Sequence, residues 1–238
     1  MRRTTIAQEN KSWESHEVDV GEIIRAAYKL DERLACIIAM VAAFGLRTKE
    51  AIEIRPSRAY EEGMLNNSIL VEEGTKGGRP RYVNINTKEQ GKILAWAIEV
   101  GKATPSNRLR WPSCSTWPQA QRYFYKQIAK LGITQTAKGV TMHGLRHQFA
   151  QKNYRLISGL PSPIEGGALP LLDKLTHRAS SQYVSSQLGH CREDIGATYY
   201  GSYGHRLRGI PDVPTGQPLK EEKTPLATDV AGTEGEQP

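Results

Sequence analysis

The stretch from Thr141 to Tyr200 constrains this chain most, because its chemistry-bearing side chains make sense only if the fold brings them together. It reads Thr-Met-His-Gly-Leu-Arg-His at 141–147, Leu-Gly-His at 188–190 and Asp-Ile-Gly-Ala-Thr-Tyr-Tyr-Gly at 194–201. Thr141 stands where a helix cap belongs, and Leu145 and Phe149 give the helix that follows its apolar side. His143 and Arg146 are three residues apart, so on that helix they point the same way. Two cationic or protonatable groups side by side, with a histidine and a tyrosine downstream, read as a site for an anion attacked by a phenol.

The rest of the chain reads as mainly α with a small antiparallel β-hairpin, an α+β arrangement. Val20, Ile23, Ile24, Ala27 and Tyr28 form one apolar helical stripe. A second helix is expected over Asp31–Phe44, ended by Gly45, and a short third one opens at Leu46-Arg47-Thr48. Ser68–Glu73 and Arg81–Ile85 read as two strands joined by the glycine-rich tip Gly74–Pro80. Lys88–Gly101 and Thr116–Leu131 are amphipathic helices, and Ser180–Leu188 and Glu193–Tyr200 close the core. Residues 1–17 are polar and aperiodic, as in a flexible arm, and 18–210 form one domain. Within it, the glycine- and proline-containing interval of about 156–179 reads as an insertion. Residues 211–238 are expected to be a disordered acidic tail.

Charge narrows the partner. The formal net charge is +7, yet residues 211–238 hold six acids against two lysines, so the remainder is more basic still and suits a polyanion. The longest apolar run, Leu34–Leu46, is too short to span a bilayer, and no apolar stretch follows Met1-Arg2-Arg3 to make a secretory signal. Cys36, Cys114 and Cys191 are far apart and odd in number, which fits reduced thiols in the cytoplasm. His143 and His147 have zinc-ligand spacing, but no glutamate follows the first and no third ligand is near in sequence, so no metal is expected.

At these residues the chain resembles the tyrosine recombinases, the phage-integrase family. Its central motif is His-x-x-Arg-His, then Leu-Gly-His, then a tyrosine nine residues after that last histidine, which here is Tyr199. Gly-Leu-Arg-x-x-Glu at 45–50 resembles the family's first arginine box. By itself, Arg47 would read as one half of an ion pair with Glu50 or Glu53, and Lys76 as an ordinary lysine in a solvated turn. The resemblance implies a tyrosine-recombinase catalytic-domain fold in which Arg47 and Arg146 bind the scissile phosphate, Tyr199 attacks it and Lys76 protonates the leaving 5′ oxygen. It further implies that His143 is the base, that His190 hydrogen-bonds the phosphate, and that Glu50 and His147 support the site. Arg79, Arg81 and Arg122 are expected to contact DNA, with Arg108 and Arg110 as further candidates to track its backbone.

The expected activity is site-specific recombination or integration, cutting and rejoining double-stranded DNA at attachment-type sites through a 3′-phosphotyrosyl intermediate, with no cofactor, metal or ATP. The expected assembly is a tetramer on DNA. Two other readings stand beside it: a non-catalytic DNA-binding relic, and a type IB topoisomerase of the same chemistry. Too few residues precede the first core helix for the separate N-terminal domain that family members carry. The expectation is therefore a fragment or a minimal relative.

Overall fold

A computed structural model of the chain describes residues 7, 9–167, 172–190 and 193–203. The acidic tail expected over 211–238 and Cys191 lie outside these residues. The elements run α1 (Val20–Leu30), α2 (Glu32–Phe44), α3 (Thr48–Glu53), α4 (Pro56–Gly63), β1 (Ser68–Val71), β2 (Arg81–Asn84), α5 (Lys88–Lys102) and α6 (Trp117–Lys130). A single turn, α7 (Gln135–Lys138), leads to α8 (Met142–Ser158), α9 (Lys174–Leu188) and α10 (Glu193–Tyr200). The fold is mainly helical with one two-stranded antiparallel sheet. None of the described helices is long and apolar enough to cross a membrane.

Helix α2 is the spine. Its run Leu34-Ala-Cys-Ile-Ile-Ala-Met-Val41 is buried throughout, which a helix apolar on all sides requires, and α1, α5 and α8 pack round it. Asp31 starts it, accepting a hydrogen bond from the Leu34 amide at 3.0 Å, and its other carboxylate oxygen takes the Trp111 indole N–H at 2.8 Å. Gly45 ends it at φ 57°, in the left-handed region. A Cβ there would collide with the Phe149 ring of α8, so backbone conformation and packing both demand glycine.

The hairpin pairs Ser68 with Asn84, Ile69 with Val83, Leu70 with Tyr82 and Val71 with Arg81. Alternation then decides its faces: Ile69, Val71, Val83 and Arg81 turn inward, whereas Tyr82 is exposed. The tip carries a 3-10 turn at Lys76–Gly78, with Lys76 and Arg79 exposed.

Several expectations are corrected. Residues 9–17 do not form a loose arm: Trp13 is fully buried and donates its indole N–H to the Thr141 carbonyl at 2.7 Å, and Glu14–His16 is a 3-10 turn. Thr141 occupies the N-cap of α8, but its side chain makes no capping hydrogen bond. The interval 156–179 is partly helical, since α8 runs on to Ser158 and α9 begins at Lys174 behind an Asp173 cap. Helix α4 goes beyond the elements expected from sequence; Pro56 sits at its first helical position, where its missing N–H costs nothing.

Candidate active site

Glu50 is the electrostatic centre of the fold. It is fully buried in α3 and is held by three arginines from three elements. Arg47, at the N-cap of α3, donates to Oε1 at 2.7 Å, and its amide donates to Oε2 at 2.7 Å. Arg81 of β2 donates through Nη1 to Oε1 at 2.9 Å and through Nη2 to Oε2 at 2.7 Å. Arg146 of α8 stands with Nη1 4.0 Å from Oε2. Burial by itself would raise the Glu50 pKa, but the hydrogen bonds and charge of Arg81, with the charge of Arg146, hold it at about 2.

Arg146 is buried to the last atom, so its donors must be answered. Nη1 donates to the Gly45 carbonyl, Nη2 to the Leu188 carbonyl at 2.6 Å, and Nε to the Tyr199 hydroxyl at 3.4 Å. The first two acceptors are helix-terminal carbonyls of α2 and α9, which have no partner within their own helices. Those three bonds use three of the five guanidinium N–H groups, and Nη1 also lies within ion-pair reach of Glu50. Desolvation lowers the Arg146 pKa to about 10, so it is charged at neutral pH.

Tyr199, on the last turn of α10, lies among three imidazoles. Its ring is stacked on His190 at 5.3 Å between centroids and tilted against His147 at 4.7 Å and His143 at 5.6 Å. The guanidinium carbon of Arg146 lies 5.8 Å from its ring centre. Burial, then the nearby arginines, pulls the pKa of His143 to about 4 and of His190 to about 3. His147 is lowered to about 3 by burial first and then by His143. All three rings are neutral at pH 7. His143 keeps an exposed edge, whereas Nδ1 of His147 and of His190 are buried without a hydrogen-bond partner among the described residues.

The neighbouring Tyr200 faces elsewhere. It is buried against Tyr154, with centroids 5.3 Å apart, and His177. The turn of about 100° between successive helical residues thus sends one phenol to the arginines and the other to a separate aromatic cluster.

Arg47, Glu50, His143, Arg146, His147, His190 and Tyr199 are therefore brought together. Lys76 and Arg79 stand on the exposed hairpin tip and Arg122 on the exposed side of α6. Arg81 is corrected: it is an internal residue, with Nε donating to the Gln187 carbonyl at 2.9 Å and its fork on Glu50, and is not placed to clamp DNA. Arg108 and Arg110 are corrected too, since both pair with the buried carboxylate of Glu53, at 2.9 and 3.3 Å. Sequence reasoning missed the carbonyls of Gly45, Gln187 and Leu188, which no side-chain pattern announces. It also missed Gln151, whose amide N–H groups reach the Tyr199 carbonyl at 3.1 Å and the Asn10 side chain at 2.9 Å.

Comparison with known proteins adds the family. No curated protein matches the chain. Among solved structures, a crystal structure of XerA recombinase is similar, with 22% identity and a TM-score of 0.49 over 76% of this chain. The match covers 58% of the XerA chain, so this chain spans little more than half of that protein. The family model described as Integrase matches residues 7–152, a stretch that includes Arg47, Glu50, Lys76, His143 and Arg146 and stops short of His190 and Tyr199. With that match over more than half its length, the chain belongs to the integrase family, the tyrosine recombinases.

Proposed function

We propose that this protein cuts and rejoins DNA strands as a site-specific recombinase, with Tyr199 as the nucleophile. The observation that carries the reading is the position of the Tyr199 hydroxyl, 3.4 Å from Nε of a buried Arg146 and ringed by neutral histidines. A phosphate entering there approaches Arg146 from the side of the Tyr199 hydroxyl and meets the partly exposed guanidinium of Arg47. Planar, permanently charged forks suit the spread negative charge of a phosphoryl transition state.

The steps balance. Tyr199 Oη bonds to phosphorus as His143, neutral at pH 7, accepts the phenolic proton. The P–O5′ bond breaks and the departing oxygen takes a proton from Lys76, carried to the site on the hairpin tip when DNA is bound. His190 donates its single N–H to a non-bridging oxygen, and His147 supports the Tyr199 ring from behind. The 3′-phosphotyrosyl ester keeps the bond energy for religation to another 5′ hydroxyl. Glu50 does not touch DNA; it fixes Arg47 and Arg146 relative to each other. The protein acts as a tetramer on paired attachment-type sites. The test is to trap the adduct on a nicked duplex whose cleaved strand cannot be rejoined and to identify the modified residue by mass spectrometry. A phosphotyrosyl peptide containing Tyr199 is expected, and a wild-type protein that binds the duplex without forming an adduct would overturn the reading.

A further inference from the structure

The last turn of α10 is held from outside the helix: Gln151 of α8 takes the Tyr199 carbonyl, and the Ala197 carbonyl, which accepts the Gly201 amide at 3.0 Å, also takes an amide of the chain's own N-terminal segment. The Ala7 amide donates to the Ala197 carbonyl at 3.1 Å, from the far end of the sequence. Gln151, buried on α8, spends its side-chain amide on two acceptors: the Tyr199 carbonyl at 3.1 Å and the Asn10 Oδ1 at 2.9 Å. Asn10 Oδ1 also accepts from the Ser12 amide at 3.1 Å, which fixes its orientation. Trp13, buried and bonded to the Thr141 carbonyl, anchors the segment beside the start of α8. The Lys11 carbonyl lies so close to Gly144 that a side chain could not be fitted between them.

We propose that Gln151 and Asn10 are positioning residues for the strand-cleavage reaction, forming with residues 9–13 a strap that sets the pose of Tyr199 through its own backbone. The proposal rests on Tyr199 being the nucleophile. A phenol that must lie in line with a phosphorus atom tolerates little drift, and α10 is a helix of only two turns. One amide group bonded to both the nucleophile's carbonyl and the strap transmits displacement of the N-terminal segment to Tyr199. A further domain joined ahead of residue 7 would therefore have a direct mechanical route to the nucleophile.

The test uses the full chain with four variants: Gln151→Met, which keeps the volume and removes both donors, Asn10→Ala, Asn10→Asp, which keeps the acceptor, and the double variant Asn10→Ala/Gln151→Met. Three quantities are read: amide hydrogen exchange across α10, noncovalent DNA affinity, and the rate of covalent adduct formation. For Gln151→Met, exchange across α10 rises and the adduct forms roughly tenfold more slowly with unchanged affinity. Asn10→Ala shifts both quantities in the same direction, Asn10→Asp returns them to wild type, and the double variant Asn10→Ala/Gln151→Met is no worse than Gln151→Met. Unchanged exchange across α10 in Gln151→Met, or equal losses in Asn10→Asp and Asn10→Ala, would overturn the strap. A wild-type protein that forms no adduct would instead overturn the nucleophile assignment, and the exchange data would still decide the strap. Should Gln151→Met fail to fold, the half-buried end of the relay at Asn10 gives the same decision.

Discussion

Arg81 holds Glu50 with both prongs of its guanidinium, Nη1 to Oε1 at 2.9 Å and Nη2 to Oε2 at 2.7 Å, and both side chains are buried. A pair this well matched joins the hairpin to α3, and the third Arg81 donor, Nε, ties both to the end of α9 at Gln187. Removing Arg81 leaves the buried Glu50 carboxylate to Arg47 and the more distant Arg146, with two of its hydrogen bonds lost, which costs more than the pair contributes. Arg81→Met is expected to destabilise the protein by about 3–5 kcal/mol in urea unfolding, while the double variant Arg81→Met/Glu50→Gln loses less. A surface arginine would give a loss below about 1 kcal/mol.

Acid should loosen the fold in two stages whose signs agree. His143, His147 and His190 have folded pKa values of about 4, 3 and 3, below the ordinary 6.5, so the unfolded chain binds more protons as pH falls from 6.5. Stability is fully present above pH 6.5 and drains toward pH 3. Glu50, held at about 2 against an ordinary 4.5, adds a second loss between pH 4.5 and 2. The melting temperature is expected to fall from pH 7 to pH 5, and His147→Gln should flatten that slope. An unchanged melting temperature over that range would contradict the buried neutral state of these rings.

Gly45 has two reasons to be glycine, its φ of 57° and the Phe149 ring against it, and its carbonyl is an acceptor for Arg146. Gly45→Ala is expected to cost more than the roughly 1 kcal/mol of a left-handed backbone alone, because Phe149 must also move. Phe149→Leu in the Gly45→Ala background should return part of the stability, measured by thermal unfolding. Additive losses would mean that the ring is not the obstacle.

Much of this was legible in residue order. The apolar stripes gave α1, α2, α5 and α6, and the alternation about a glycine-rich tip gave the hairpin. Arg81 shows where reading stopped short. It is two residues from Val83 on one strand, so the same alternation that buried Val83 turned Arg81 inward, but its charge argued for the surface and its partner lay thirty-one residues away. Trp13 was the only large aromatic in a polar stretch, a signal for burial outweighed by its surroundings. The start of α9 was hidden because Lys174-Leu-Thr-His-Arg carries no apolar stripe, although Asp173 is a good cap and accepts from the Leu175 and Thr176 amides. The backbone carbonyls around Arg146 belong to tertiary structure alone.

The most direct test of the account compares Tyr199→Phe with Tyr200→Phe on a nicked suicide duplex, with EDTA present and the products run on a denaturing gel. Tyr199 lies against Arg146 and Tyr200 against Tyr154, so the two hydroxyls differ in place while the two substitutions are chemically identical. A covalent protein–DNA band is expected from wild type and from Tyr200→Phe, and none from Tyr199→Phe at unchanged DNA affinity. A band that survives in Tyr199→Phe, or that disappears only in Tyr200→Phe, would contradict it.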